Sequence, residues 1–250
     1  MDGRLPEERG EVILKKLILL VILLLLLLSI ASCEEEKQKY IIRNGSRDEL
    51  RIAITIDDCY AIQHVQDAVE ISREFNVPIT FFPIGTALRE EDGDIWRSVI
   101  EAGCEIGSHT WHHIDLGVCK EFVIIRYMGM FQELLDKVLG YHYRVNALRP
   151  PFGKLTNADG NTIIPARRAL MKYGFEHAVN WDVSQTDPDK AFKQTQNGSI
   201  LLFHTRQKDI DCLRVLIPKL LEAGFVPVTV SELLGFGDHD ISDELFVWTE

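Results

Sequence analysis

The 250-residue chain has no Cys-x-x-Cys pair and no Gly-x-Gly-x-x-Gly loop. The first absence argues against a thiolate zinc cluster. The second argues against a dinucleotide-binding sheet. Basic charge is scarce: 27 Lys and Arg face 38 Asp and Glu, a net charge of −11. A surface that grips phosphate must be basic, so the charge argues against nucleic acid as a partner. There is no internal repeat. The apolar stretch from Leu17 to Ile30 is shorter than the ~20 residues a spanning helix needs. What remains is an ordinary globular composition, 46% apolar, enough for the core of one domain behind a targeting segment.

Residues 1–32 read as a signal peptide. Lys15-Lys16 precede the Leu/Ile/Val run, and small residues close it at Ala31-Ser32-Cys33. A Cys after Ala-Ser is similar to the lipobox of bacterial lipoproteins, in which cleavage precedes a lipid-bearing Cys. The expectation is export and a lipid anchor through Cys33 at the bacterial cell envelope. A plain signal peptide or a short N-terminal anchor is the alternative. Met1 to Glu11 holds more acids than bases, unlike the usual start of a signal peptide, so translation is expected to begin near Val12. An intact Met1 on the precursor would contradict that. Residues 33–49 are charged and read as a tether. Cys59, Cys104, Cys119 and Cys212 are expected to be mostly free, buried thiols.

From Leu50 onward, strand and helix patterns alternate. Strands are expected at 51–56, 78–84, 104–108, 145–148, 177–181, 199–203 and 226–230. Helices are expected at 65–75, 95–102, 121–139, 163–173 and 210–223, several closed by Gly. Ser231 is a candidate cap for a short helix through Leu234. Such βα alternation implies parallel strands with right-handed crossovers, and about seven of them favour an α/β barrel. The domain is expected over 50–236, with an acidic tail over 237–250 that carries the apolar patch Leu245-Phe246-Val247-Trp248.

Four polar clusters follow strand patterns, where a barrel gathers its functional groups. Asp57-Asp58 ends the first strand, and one carboxylate can bind metal while its neighbour accepts a proton; a turn pair is the plainer alternative. His109 and His113 are spaced i, i+4, which on a helical turn puts both imidazoles on one side. With one carboxylate they make a three-ligand set that leaves open positions, a catalytic rather than a structural arrangement. In Arg149-Pro150-Pro151-Phe152 the prolines remove two donors, so the first free N–H belongs to Phe152 and suits an oxyanion site. Arg149 can hold a carboxylate through its fork of donors. His204 ends the run Ile200-Leu201-Leu202-Phe203 and gains weight only from its company.

In this order the clusters resemble the polysaccharide deacetylases of the NodB-homology type, carbohydrate esterase family four. Thr55-Ile56-Asp57-Asp58-Cys59 is similar to the first family motif. His109-Thr110-Trp111-His112-His113 resembles the second, Arg149 to Gly153 the third, and Leu201 to His204 the fifth. The resemblance spans about Leu50 to Leu234. It implies a distorted (β/α) barrel of about seven parallel strands, with Asp57 as general base and Arg149 orienting it. It further implies that Asp58, His109 and His113 hold one divalent metal, with zinc expected and cobalt or nickel as alternatives. The Phe152 N–H would assist the oxyanion, and His204 would protonate the leaving amine. A glycan substrate and removal of its N- or O-acetyl groups follow from the same resemblance; the oligomeric state does not.

The chain departs from the family at three points. Cys59 stands where Gly is usual and Ile56 where Phe is usual. The fourth motif is degraded, leaving Asp182 or Asp187 as the acid that tunes His204. Trp111, Phe152 and Trp181 are candidates for stacking on sugar. Two further readings stand beside the deacetylase: a C–N hydrolase of small amides or imides on the same barrel, and a non-catalytic glycan-binding surface protein. A glycosidase is disfavoured, because its two carboxylates flank the bond from roughly 5–9 Å apart and Asp57 and Asp58 are neighbours.

Overall fold

The structure, a computed structural model, describes residues 16–22, 40–156 and 162–249. The chain divides into two compact units, Met1–Lys39 and Tyr40–Glu250. In the first, residues 16–22 are helical and exposed. Cys33, the rest of the apolar run and the expected start of translation lie outside the described residues. Among the described residues no helix is long and apolar enough to cross a membrane.

The second unit begins with β1 (Ile41–Ile42), β2 (Arg51–Asp58), α1 (Ile62–Phe75), β3 (Thr80–Pro83), α2 (Gly93–Glu101) and β4 (Glu105–Ile106). It continues with α3 (Glu121–Leu139), β5 (His142–Tyr143), α4 (Ile164–Tyr173), β6 (Ala178–Val179) and α5 (Pro188–Gln194). β7 (Ile200–His204), α6 (Gln207–Glu222), β8 (Val226–Pro227), α7 (Val230–Leu234) and β9 (Ile241–Ser242) complete it.

β2 is the axis of the fold. Its six residues from Ile52 to Asp57 are all buried. A strand without polar alternation is covered on both faces, as parallel sheets require. β2 pairs in parallel with β3, β7 and β8, and β3 pairs in parallel with β4. β1 pairs in parallel with β6. The ring continues past β4, where Ser108 bridges Leu148 in parallel. Val179 then donates to Leu148 O at 2.8 Å, and Val183 bridges Leu201 on β7. Strand segments therefore run β2, β3, β4, Leu148, β6 and back to β7, a distorted barrel with seven parallel-paired strands, β1–β4 and β6–β8.

Three local expectations are corrected. The 145–148 segment makes only the Leu148 bridge, because the Val145 N–H is taken by the Gln132 side chain at 3.2 Å. α5 was not expected; Asp187 caps it and Pro188 opens it, a start signal spent on only seven residues. α7 is capped by Thr229, with Glu232 completing a capping box. Ser231 is unavailable as a cap, since its N–H and hydroxyl both bond to buried Glu105.

The ends of the unit also differ from expectation. Tyr40 is buried, its hydroxyl donates to Phe175 O at 3.2 Å, and β1 joins β6. The fold thus begins at Tyr40 rather than at residue 50, and the tether expectation fails for 40–49. Beyond residue 236 the chain packs back as a strap. β9 pairs antiparallel with β5. His239 stacks on Tyr143 with centroids 4.4 Å apart, and its Nε2 lies 3.4 Å from Glu105 Oε1. The Phe246 N–H donates to Asp136 Oδ2 at 2.8 Å. Trp248 lies over Gly129, where any Cβ would come within 2.0 Å of the indole.

Candidate active site

The site assembles where β2 ends. The parallel register sets Asp57 beside His204 on β7. Asp57 is buried, and Asp58 closes the strand with φ at 69°. Arg149 reaches in from the far side of the ring and is wholly buried. Its Nη1 donates to Asp57 Oδ1 and to Thr55 Oγ1, each at 2.7 Å. Nε and Nη2 donate to Val179 O and Asn180 O at 3.3 Å. Its guanidinium lies 4.3 Å from the centroid of the Phe82 ring. A buried cation this fully bonded has one available orientation, and it holds Asp57 in another.

His109 and His113 bring their Nε2 atoms to 3.6 and 3.7 Å from Asp58 Oδ1. The helical turn expected for this pair is absent. The segment bends through Thr110 at φ 70°, while the Gly85 N–H donates to Thr110 O at 2.8 Å. His109 Nδ1 lies 2.8 Å from Arg149 O. A carbonyl can only accept, so Nδ1 carries the proton and Nε2 keeps its lone pair for the cluster. Burial holds His109 below its ordinary value, against the opposing pull of Asp57, Arg149 O and Asp58, and a neutral imidazole is the ligand form.

Asp58 Oδ1 is buried and has no hydrogen-bond partner. One donor atom from each of Asp58, His109 and His113 lies within 4.8 Å of the others. Ligands about 2.1 Å from a tetrahedral ion are separated by about 3.4 Å, close to the spacing found. One carboxylate and two imidazoles suit a divalent cation of the zinc class. The orphaned oxygen and the converging lone pairs both fit such an ion.

The third cluster forms the opposite lip. Gly153 and Lys154 donate back to Pro150 O and Pro151 O, closing the turn, while the Phe152 N–H takes no part in it. Phe152 sits at φ 60° with its side chain 56% exposed, edge-on to His113 at 4.4 Å. Among the described residues five that are not glycine have positive φ, and four of them, Asp58, Cys59, Thr110 and Phe152, belong to this site. Each conformation costs roughly 1–3 kcal/mol and persists only where its surroundings impose it.

The polysaccharide deacetylase family matches residues 44–173. The chain belongs to that family. It is 27% identical to a peptidoglycan-N-acetylglucosamine deacetylase of Bacillus cereus, over 81% of this chain and 97% of that one. It is 25% identical to the peptidoglycan-N-acetylmuramic acid deacetylase PdaC of Bacillus subtilis, over 73% of this chain but 38% of that one; against PdaC it spans well under half the relative's length. Its fold is shared with a carbohydrate esterase family four pseudoenzyme of Bacillus anthracis, with a TM-score of 0.66 at 19% identity, covering 77% of this chain and 68% of that one.

Within the deacetylase family this chain's departures have structural answers. Cys59 adopts φ 60° where the family has Gly, and its thiol is buried, directed at Ile56 O at 3.8 Å. Burial, then the charges of Asp57 and Asp58, push the thiol well above its ordinary range. It packs beneath the site and stands outside the Asp58, His109, His113 set.

The two acids expected to tune His204 are committed elsewhere. Asp187 Oδ1 accepts from the Asp189 and Lys190 N–H groups at 3.0 Å. Asp182 pairs with Arg47 at 2.7 Å and accepts from Ser199 Oγ at 3.0 Å and the Ile200 N–H at 2.8 Å. Trp181 packs behind the third cluster, 3.0 Å from where a Gly153 Cβ would stand, and Trp111 covers Gly85. Both are half-buried supports, which leaves Phe152 as the exposed aromatic of the three stacking candidates.

Two contributors, Thr55 and Asn180, and one buried neighbour, Asp209, were not foreseen. Thr55 shares Arg149 with Asp57. Asn180 donates to Gly153 O at 2.9 Å and so braces the Phe152 turn. Asp209 is buried in the first turn of α6, immediately after His204's strand. Its signal was an acid on an apolar helical stripe, in line with Leu213, Leu216 and Leu220.

Proposed function

We propose that this chain hydrolyses N-acetyl groups of an envelope glycan, peptidoglycan first among them. The observation that carries the reading is the union of an intact Asp58, His109, His113 donor set with an Arg149-locked Asp57 in register with His204. The choice of peptidoglycan draws on the two relatives named for it. We propose zinc as the ion held by Asp58, His109 and His113. When bound, it supplies a Lewis acid for the acyl oxygen and eases deprotonation of water.

The protein's own groups do the rest. Asp57 takes a proton from the attacking water as the new C–O bond forms at the acyl carbon. Arg149 keeps that carboxylate aimed through its hydrogen bond. The Phe152 N–H donates to the oxyanion as it develops. When the C–N bond breaks, His204 gives its proton to the departing nitrogen, which leaves badly as an anion. Acetate and a free amino sugar result. The exposed Phe152 ring offers the sugar a stacking face beside the site.

The test is acetate release by the zinc-loaded full chain from peptidoglycan, chitooligosaccharides and acetylated xylan, with small amides and cyclic imides alongside and His113→Ala as control. Acetate from an N-acetylated glycan, lost in the control, is expected. Turnover of the small amides alone would favour the small-amide hydrolase, and silence on all substrates the binding protein.

The envelope location is also a proposal. It rests on the basic flank, the apolar run and Ala31-Ser32-Cys33. Replacing Cys33 by Ser should move the chain out of the lipid-modified membrane fraction; lipid incorporation that survives the change would contradict the anchor.

A further inference from the structure

We propose that Lys154 makes this site selective for a glycan whose sugars carry a carboxylate: Phe152 stacks the sugar ring, and the Lys154 ammonium meets the acid beside it. The inference rests on the reading of the exposed Phe152 ring as a sugar platform and deepens the deacetylase reading by naming a substrate class.

The turn that presents Phe152 also presents Lys154. Pro150 and Pro151 fix its entry. The Gly153 and Lys154 N–H groups close it on Pro150 O and Pro151 O at 3.0 and 3.1 Å, and Asn180 holds Gly153 O at 2.9 Å. Leu155, the next residue, is wholly buried. The backbone of Lys154 is thus pinned on both sides, while the residue itself is exposed. Its Nζ lies 5.8 Å from the centroid of the Phe152 ring, which in turn meets the His113 ring at 4.4 Å. An aromatic face attracts an exposed cation within about 6 Å by roughly 0.5–1 kcal/mol. At that outer reach the ammonium is kept near the ring without covering it, and it can turn to an anion.

The charge is not spent inside the protein. Among the described residues no acid pairs with Lys154, because the acids at this end of the barrel are committed elsewhere. Asp57 is held by Arg149, Asp58 faces the histidines, and Asp182 pairs with Arg47. Asp187 caps α5, and Asp115 accepts from the Gly117 N–H at 2.8 Å. The acids Glu90 to Asp92 run into Gly93, which packs on Val138 O at the far end of α3. In a chain of net charge −11, an unpaired cation beside the stacking face is a local exception. It complements an anion rather than a neutral sugar. A lactyl ether and a uronate both set a carboxylate at the rim of a stacked sugar, where the ammonium stands.

The test is acetate release by the zinc-loaded full chain from two pairs of glycans. One pair is peptide-free peptidoglycan strands, which bear lactyl carboxylates. The other is N-acetylglucosamine oligomers oxidised at the primary alcohol, which bear uronates. Each is supplied with its carboxylates free or methyl-esterified. In at least one pair the free acid should have a KM about 3- to 10-fold below its ester, and the pair that shows it names the source. Lys154→Gln should erase the difference by raising KM for the acid alone, with kcat and zinc content unchanged. Lys154→Arg should keep it, and added salt should shrink it.

Equal KM for acid and ester in both pairs, or a preference that survives Lys154→Gln, overturns the proposal. Should the wild type release no acetate from any of these glycans, the deacetylase reading fails, and binding of the same glycans by calorimetry then decides on Lys154 alone. Tighter binding of an acid than of its ester, lost in Lys154→Gln, upholds the selectivity; equal binding contradicts it.

Discussion

Four residues show how sequence and site relate at the smallest scale. Asp57, Asp58, His109 and His113 carried their chemistry in their identity and order, and the barrel brings them together. Their geometry was less accessible. The i, i+4 spacing of the histidines suggested a helical turn, yet convergence comes from Thr110 at φ 70° in a bent loop. Local spacing cannot reveal a backbone angle imposed by contacts from β3. Cys59 shows the same limit. A buried thiol was expected there, and Cys59 is 1% exposed, but its φ of 60° and its direction at Ile56 O were not readable. Alkylation of the native protein, read by mass mapping, should spare Cys59 and modify it once the chain is unfolded. Modification of Cys59 at the rate of half-buried Cys119 would contradict its packing role.

Elements repeated this pattern of legible cores and hidden ends. α3 matches its expected span, 121–139, because a long amphipathic run closed by Gly140 at φ 81° has little else to become. β5 escaped notice because its partner β9 lies about a hundred residues away, in a segment whose acidity suggested a tail. The strap itself is held by His239 paired with Glu105, and by Phe246, whose N–H bonds to the Asp136 carboxylate that His142 also engages. Burial alone would pull His239 below 6.5, and the Glu105 bond and charge more than reverse this. A raised histidine contributes stability that is fully present below its unfolded value and lost as pH rises through the folded one. Glu105 is pushed up by burial and held down by His239 and Ser231, with a net fall below 4.5. The same contact therefore also weakens as pH drops through that lower value. Amide exchange over residues 241–248, corrected for intrinsic rate, should show protection lost as pH climbs past 6.5. In His239→Gln protection should be low throughout, and stability should drop by about 1–3 kcal/mol, since Glu105 keeps its other donors. Protection independent of pH in the wild type would contradict the strap's ionic hold.

At the scale of the whole molecule, the parallel barrel was readable because alternating β and α patterns leave few other topologies. The division of labour at its mouth was readable only in part. Ligands, base and acid were named by type and order. Two of their supports, Thr55 and Asn180, make their contacts through the folded ring and carry no pattern of their own. The central claim is that two adjacent carboxylates do different work: Asp58 faces both histidines, while Asp57 gives Oδ1 to Arg149 and leaves Oδ2 3.8 Å from His109 Nε2. The most direct measurement is metal content and turnover, side by side, of the Asp57→Asn and His113→Ala variants. The account predicts that Asp57→Asn keeps nearly all its bound zinc while its kcat falls by roughly 10²-fold or more, and that His113→Ala loses both. An Asp57→Asn protein that has lost its metal, or that still turns over, would contradict it.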